Sequence, residues 1–510
     1  MSNGETVWRR VFGLDVRSLA VLRIGLGLVL LGNLCDLTPD IGAFFSDEGL
    51  LPRTARMQLN ASEAATAPPY WCSLHMLSGA TWCQGLLIGT GIVLSGCVVL
   101  GYRTPWALFG SWVLLVGLQA RNPLILIGGD DVLRCLLFWC LFLPLGACWS
   151  LDARRTGPPP QRTICNAASA ALLIQLACIY VFSGLLKSDP PWRSEFTALY
   201  LALSGDHHTT RLGLALLDYP RLLQVMTLAT LALEMVGPLP LFVPWRNDRI
   251  RMAAIASFWG LHLGILATMD VGIFSLICMV YWTALLPAAF WDSPFLRKVL
   301  SRSFVPLVES EPTAAAPIAS GLPALFVPAL IALLASYVLL LNVARLASQN
   351  LETRLNPSPV QILGDAAQLD QFWCMFAPRP FEYGGWINVS GTLANGERVN
   401  LWQPELPVQD SRPPVVSEVY RNMRWRKVMV NLFERDCPTH TRGVDAYLRR
   451  RWNDTHPSER QIEAVEAILV KELILLPGQG TSRAQPELEV LWRSSRTRSD
   501  GWTALPQPPR

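Results

Sequence analysis

Charge is what this sequence has least of. Only 16% of its 510 residues are Asp, Glu, Lys or Arg, against roughly a quarter in an ordinary soluble domain. That scarcity argues against a wholly soluble chain. The net charge of +4 is small for the length and gives no footing for a nucleic-acid partner. Twelve cysteines are present, yet no two form a C-x-x-C pair, so zinc-ribbon and thioredoxin-type signatures are absent. Most of them lie inside apolar runs (Cys83, Cys97, Cys135, Cys140, Cys178, Cys278) and read as small hydrophobes. There are six histidines. The adjacent His207 and His208 lack a third ligand, so they read as a surface loop and no metal site is expected. No small-residue cleavage site follows the first apolar run, which is therefore read as an uncleaved span. No inverted repeat is visible, which speaks against a secondary transporter.

What the chain does have is hydrophobic length. Apolar residues make up 51%, and the mean hydropathy is +0.30. Nine stretches approach the roughly 20 residues needed to cross a bilayer core: 19–36, 80–100, 105–120, 132–148, 164–186, 222–244, 252–268, 271–290 and 322–345. With the N-terminus cytoplasmic, the cytoplasmic connections hold 13 Lys and Arg and the opposite ones 7, over a longer total length. Positive charge stays inside, so the expected fold class is a mainly α membrane protein with about nine spans and a cytoplasmic N-terminus. Three regions follow: a polytopic domain over 1–348, a small extracytoplasmic α+β domain over 350–480, and a flexible tail over 481–510. Within the outer domain, Gly385–Trp402 reads as a hairpin around Asn395-Gly396. Residues 416–433, 441–452 and 459–474 have helical spacing.

Ionisable side chains inside apolar spans are costly and need a partner or a task. Glu234 falls in the middle of the sixth stretch. His262 lies within the seventh, as a helix-packing group or a proton carrier. Arg23 can snorkel to the cytoplasmic face. Asp130, Asp131 and Arg134 open the fourth stretch, as an ordinary acidic helix start or as the lining of a polar cavity. Lys187 follows the fifth stretch at its expected outer end. A lysine there is an interfacial anchor or, in a dry pocket, a usable base.

The order of these segments resembles a known family. Tyr180-Val-Phe-Ser-Gly-Leu-Leu-Lys187-Ser-Asp-Pro-Pro-Trp192 is similar to the segment bearing the catalytic lysine in the vitamin K-dependent gamma-glutamyl carboxylases. Gly101-Tyr-Arg-Thr, Trp149-Ser-Leu-Asp152, Leu233-Glu234, Gly260-Leu-His262 and Gln371-Phe-Trp-Cys-Met-Phe-Ala-Pro378 recur there in matching order. Bacterial proteins named for the horizontally transferred transmembrane (HTTM) domain look closer still, through Phe44-Phe-Ser-Asp-Glu-Gly-Leu-Leu-Pro52 and Arg121-Asn-Pro-Leu…Gly128-Gly-Asp-Asp131. The resemblance implies a multi-pass enzyme, in a bacterial inner membrane with its C-terminal domain outside. It implies an outward cavity for a lipid quinol, such as a vitamin K-type hydroquinone, with O2 and CO2 as co-reactants. Lys187 would be the base, with Glu234 and His262 beside it, and Asp130, Asp131, Arg134 and Trp192 would line the cavity. Membrane lipids and an extracytoplasmic protein or peptide are the implied partners. The resemblance also implies a Cys72–Cys437 disulfide. One departure is plain. Carboxylases carry an Asn-His pair where this chain reads Gly128-Gly129-Asp130-Asp131. A carboxylate there would pair with protonated Lys187 and oppose a neutral base. The competing expectation is a non-catalytic lipid-binding or transport module that recruits an extracytoplasmic partner.

Overall fold

The computed structural model describes residues 3–59, 69–157, 159, 161–296, 298, 322–347, 364–408, 412–434, 438–477, 485–496 and 502–504. All nine apolar stretches contain helices: α1 (Val16–Leu37), α2 (Thr81–Leu100), α3 (Thr104–Arg121), α4 (Gly128–Cys140), α5 (Ala167–Leu186), α6 (Pro220–Val236), α7 (Asn247–Thr268), α8 (Phe274–Thr283) and α9 (Leu322–Ala347). Six of the nine, α1, α2, α5, α6, α7 and α9, belong to helical segments long and apolar enough to cross a membrane. The other three run 18, 13 and 10 residues. At 1.5 Å per residue the 13 residues of α4 span only about 20 Å. Among the described residues, then, six helices meet the length and apolarity of a span and three fall short of it. The physical reason is visible at α4, whose residues Val132–Cys140 are all buried. A helix wrapped by others can be apolar all round without crossing the bilayer.

The connections nevertheless sort to two ends. At one end, Leu14 and Asp15 pair with Ile164 and Thr163. Arg251 donates to the carbonyls of Val11 and Gly13 at 2.7 and 2.8 Å. Arg17 bridges Asp15 and Asp292, and Asp152 accepts from the amides of Arg103 and Thr104. Arg23 does not snorkel. It is fully buried and bonds the carbonyls of Leu145, Cys148 and Trp149. Backbone oxygens nearby supply acceptors without a trip to solvent.

At the other end sits a five-stranded antiparallel sheet in the order β2-β1-β3-β4-β5: β1 (Tyr383–Leu393), β2 (Arg398–Asn400), β3 (Ile462–Leu473), β4 (Glu487–Arg496) and β5 (Trp502–Ala504). Helices α10 (Met423–Glu434) and α11 (Pro438–Asn453) lie between β2 and β3 in sequence. The Asn395-Gly396 hairpin is present. Ser390 pairs with Asn400, and Gly396 takes φ +82°, which a side chain would strain. Two expectations change. The helical spacing expected over 459–474 gives way to strand β3, which pairs with β1 over most of its length. Its Glu, Ala, Leu and Lys favour helix locally, but burial between two neighbouring strands wins. The tail expected to be flexible contributes β4, paired to β3 from Ala464↔Ser495 to Lys471↔Glu487.

Candidate functional site

The site is built on one face of α5. An Asn166–Ser169 capping box starts the helix, with side-chain and backbone bonds of 2.9 and 3.0 Å. Ser188-Asp189-Pro190-Pro191 ends it, because proline cannot continue a helix. Tyr180, Ser183 and Lys187 are spaced three and four apart and so share a face. Lys187 is 2% exposed. Its Nζ lies 2.5 Å from Glu234 Oε2 and donates to Ser183 Oγ at 2.8 Å. Trp192 places its ring centroid 5.1 Å from the same nitrogen, a cation–π distance. Gly184 makes the approach feasible. A Cβ there would come within 2.7 Å of Met235 and 3.3 Å of Glu234. Arg193 fastens the helix end, donating to the carbonyls of Lys187 (2.7 Å) and Gly184 (3.1 Å).

Lys187 stands deeper than the outer end at which the sequence puts it. After Lys187 the chain climbs along α6. Trp192 packs with Leu231, Leu199 N donates to Thr227 Oγ1 at 3.2 Å, and Tyr200 and Leu203 cluster with Leu223 and Met269. From Glu234 to Leu223 is eleven helical residues, about 16 Å along the axis. The Lys187–Glu234 pair therefore lies among apolar side chains. Beside it runs the segment after α9. Gln371 bonds Gln175 on α5 at 2.6 Å, Phe376 O accepts from Trp192 Nε1 at 2.9 Å, and Pro378 O accepts from the amide of Asp189.

His262 reaches the same face of α5 through Tyr180. Its Nε2 is 2.6 Å from the Tyr180 hydroxyl, which also accepts from Trp282 Nε1 at 3.0 Å. Phe258 stacks on Trp282 at 4.4 Å, and Phe274 meets His262 edge-on at 5.6 Å. Sequence reading singled out Lys187, Glu234, Trp192 and His262 but missed Ser183 and Tyr180. The (i, i+4) and (i, i+7) spacing back from Lys187 was the available signal.

Asp130, Asp131 and Arg134 stand apart from this cluster. Asp130 caps α4 through the Ile127 amide at 2.8 Å and pairs with Arg424 of α10, whose Nη2 lies 2.8 Å from Oδ1. Arg424 also bonds Asn33 Oδ1 and Ile125 O. Outside the spans, Arg424 is held above the usual guanidinium range. Burial opposes its charge, but Asp130 more than offsets that. Asp131 pairs with Arg134 at 2.8 Å, and Arg134 holds the carbonyls of Gln368 and Asp370. The carboxylate facing Lys187 is thus Glu234, while Asp130 joins the helices to the sheet domain and Asp131 holds Arg134 within α4. Neighbouring arginines add to that joint, with Arg421 meeting Asp40 and Arg426 meeting Asp270.

His207 and His208 are not a surface loop. His207 is buried, and both line a small cavity with Leu201, Ala202, Gly205, Phe376 and Phe381. Burial first, then His207, Arg426 and Lys427, push His208 down to about 3. Among the described residues no group of three or more His, Cys, Asp or Glu could hold a metal ion. The expected Cys72–Cys437 bond lies outside the described residues, which leave out the Cys72 side chain and all of Cys437.

These features define an integral membrane protein whose helices enclose a buried lysine–carboxylate pair beneath a polar-jointed α+β domain. Residues 131–291, the stretch that carries Lys187, Glu234 and His262, match the model of the HTTM domain family. No curated protein and no solved structure matches the chain.

Proposed function

We propose that the chain is a membrane enzyme that deprotonates a lipid-soluble quinol, with Lys187 as the base. One observation carries this reading: a lysine 2.5 Å from Glu234 and 2% exposed, on the face of α5 that also bears the Tyr180–His262 pair. An ammonium has no lone pair, so an ion-paired lysine must first lose its proton. Glu234 is the nearest recipient. The amine then takes the hydroxyl proton of the quinol, Glu234 passes the proton it received to water at its exposed edge, and the carboxylate so restored stabilises the ammonium. Ser183 orients Nζ throughout, and Trp192 covers it.

The residues fit such a ligand. His262 Nδ1 is buried and has no hydrogen-bond partner among the described residues, which suits an uncharged oxygen. Dioxygen as oxidant of the deprotonated quinol, and CO2 transfer to a peptide glutamate, are the further steps the carboxylase resemblance implies. Orientation with the sheet domain outside the cytoplasm belongs to the same proposal. The alternative, a lipid module in which Lys187 holds an anionic headgroup, is less favoured because Glu234 already neutralises that charge.

The test is turnover of reduced menaquinone-4 by the protein in lipid nanodiscs, with labelled bicarbonate and a glutamate peptide included. Lys187→Ala should fold normally and lose quinol-dependent oxygen consumption. Full activity in that variant would overturn the role of Lys187. Native mass spectrometry of purified protein adds an independent reading: a retained quinone supports the enzyme, and phospholipid alone supports the lipid module.

A further inference from the structure

The hydrogen bonds around Tyr180 bear on which nitrogen of His262 carries its proton. Trp282 Nε1 can only donate, and it donates to the Tyr180 oxygen at 3.0 Å. The phenol has one hydrogen of its own. Two acceptors stand near it: the Cys278 thiol and His262 Nε2 at 2.6 Å. Sulfur is a weak acceptor and an imidazole nitrogen a strong one, so the phenol hydrogen goes to Nε2. A neutral imidazole protonates only one nitrogen. With Nε2 accepting, the proton sits on Nδ1. That N–H is 1% exposed as part of its residue and has no partner among the described residues. A buried, unanswered donor is costly, and in a native protein it calls for an explanation.

We infer that Tyr180, clamped by Trp282, is a positioning residue that locks His262 as the Nδ1–H tautomer, so that Nδ1–H donates to a neutral oxygen of the bound lipid. This deepens the quinol reading and rests on it for the ligand's identity. It adds a selectivity. A fixed N–H donor beside the Phe274 ring donates to a carbonyl, ester or phenol oxygen. That ring supplies no counter-charge for an anion and no oxygen or nitrogen acceptor for a ligand's own N–H. The role of His262 is therefore to orient, while proton removal belongs to the Lys187–Glu234 pair.

The experiment is nitrogen-15 NMR on histidine-labelled protein in nanodiscs, with the His262 signals identified by their loss in His262→Gln. The expected spectrum shows protonated Nδ1 and unprotonated Nε2. Tyr180→Phe should give a mixture of tautomers. Trp282→Phe, which keeps the phenol but frees its oxygen, should do the same and serves if the first variant folds poorly. Titration with oxidised menaquinone-4 should shift the Nδ1 signal, and Tyr180→Phe should weaken binding about five- to tenfold, the worth of one hydrogen bond. A wild-type spectrum with Nε2 protonated overturns the tautomer lock. A correct tautomer whose Nδ1 signal ignores menaquinone-4 means an ordered water only, and overturns the ligand contact. Tautomer and binding as expected, with no quinol turnover by the wild type, would sink the enzyme reading while leaving this one standing.

Discussion

Two of the buried ion pairs among the described residues, Asp130–Arg424 and Lys187–Glu234, are finished differently. Asp130 and Arg424 are saturated. The carboxylate also takes the Ile127 amide, and the guanidinium also holds Asn33 and Ile125. Lys187 and Glu234 are sparer. The lysine spends donors on Ser183 and Glu234 and otherwise faces an aromatic ring. Glu234 keeps 12% of its side chain exposed, whereas Asp130 keeps 1%. A saturated pair fixes geometry and has no spare lone pair or proton to trade. A spare pair can exchange its proton with a ligand. Burial alone would have placed both in one class; the count of remaining hydrogen bonds separates a joint from a reactive centre.

The sharpest way to break that comparison is to unpair each. Arg424→Leu leaves Asp130 charged, buried and unmatched, and should cost about 3–5 kcal/mol of stability. Thermal unfolding in detergent would show a large fall in midpoint. Asp130→Asn with Arg424→Leu should recover much of that loss, because no charge is then stranded. Lys187→Gln should behave in the opposite way. Glu234 keeps 12% of its side chain exposed and a glutamine amide can hydrogen-bond to it, so stability should change by no more than about 1 kcal/mol. Quinol turnover should fall about 10²–10⁴-fold, the usual worth of a positioned base. If Lys187→Gln unfolds the protein while Arg424→Leu does not, the assignment of joint and centre is reversed.

The membrane class, the hairpin at Asn395-Gly396 and the apolar helices were legible because hydrophobic length and turn chemistry are local signals. Lys187 and Glu234 were legible as anomalies, charged residues near or within apolar runs. Their contact was not, since 46 residues separate them and only Gly184 lets α6 come close. Strand β3 misled for the converse reason: Glu463, Ala464, Glu466 and Ala467 favour helix locally, and only the neighbouring strands make an extended chain preferable. Asp130 could be read as a helix start or as a cavity lining, and it does cap α4, but its partner Arg424 lies almost 300 positions onward and gave no local sign. Local pattern shows that a buried charge needs an answer and is silent on which distant segment supplies it.

Acid offers a milder probe of the joint region. His208 has its pKa lowered to about 3 by burial, and His75, in the connection before α2, is lowered to about 4 for the same first reason. Both sit below the unfolded value near 6.5. The unfolded chain therefore binds more protons than the folded one between those limits. Stability should be full above about pH 6.5 and fall as pH drops toward 4. His208→Gln should flatten part of that decline, as followed by unfolding midpoints from pH 7 to pH 4.5. An unchanged slope would mean that His208 is charged or exposed in the folded protein.

Ser183 supplies the finest test of the spare pair. Its hydroxyl oxygen accepts from Lys187 at 2.8 Å from one turn earlier on α5. It orients Nζ without carrying charge, so Ser183→Ala removes a single hydrogen bond worth about 1 kcal/mol. The expected result is a several-fold fall in kcat with little change in KM, because the lysine can still reach Glu234 but samples more orientations. Ser183→Thr restores an acceptor at the same position and should recover most of the rate. A saturated joint would not respond in this way: there, losing one of several bonds would lower stability and leave the rate untouched. An effect of Ser183→Ala on unfolding alone would place the Lys187–Glu234 pair with the joints.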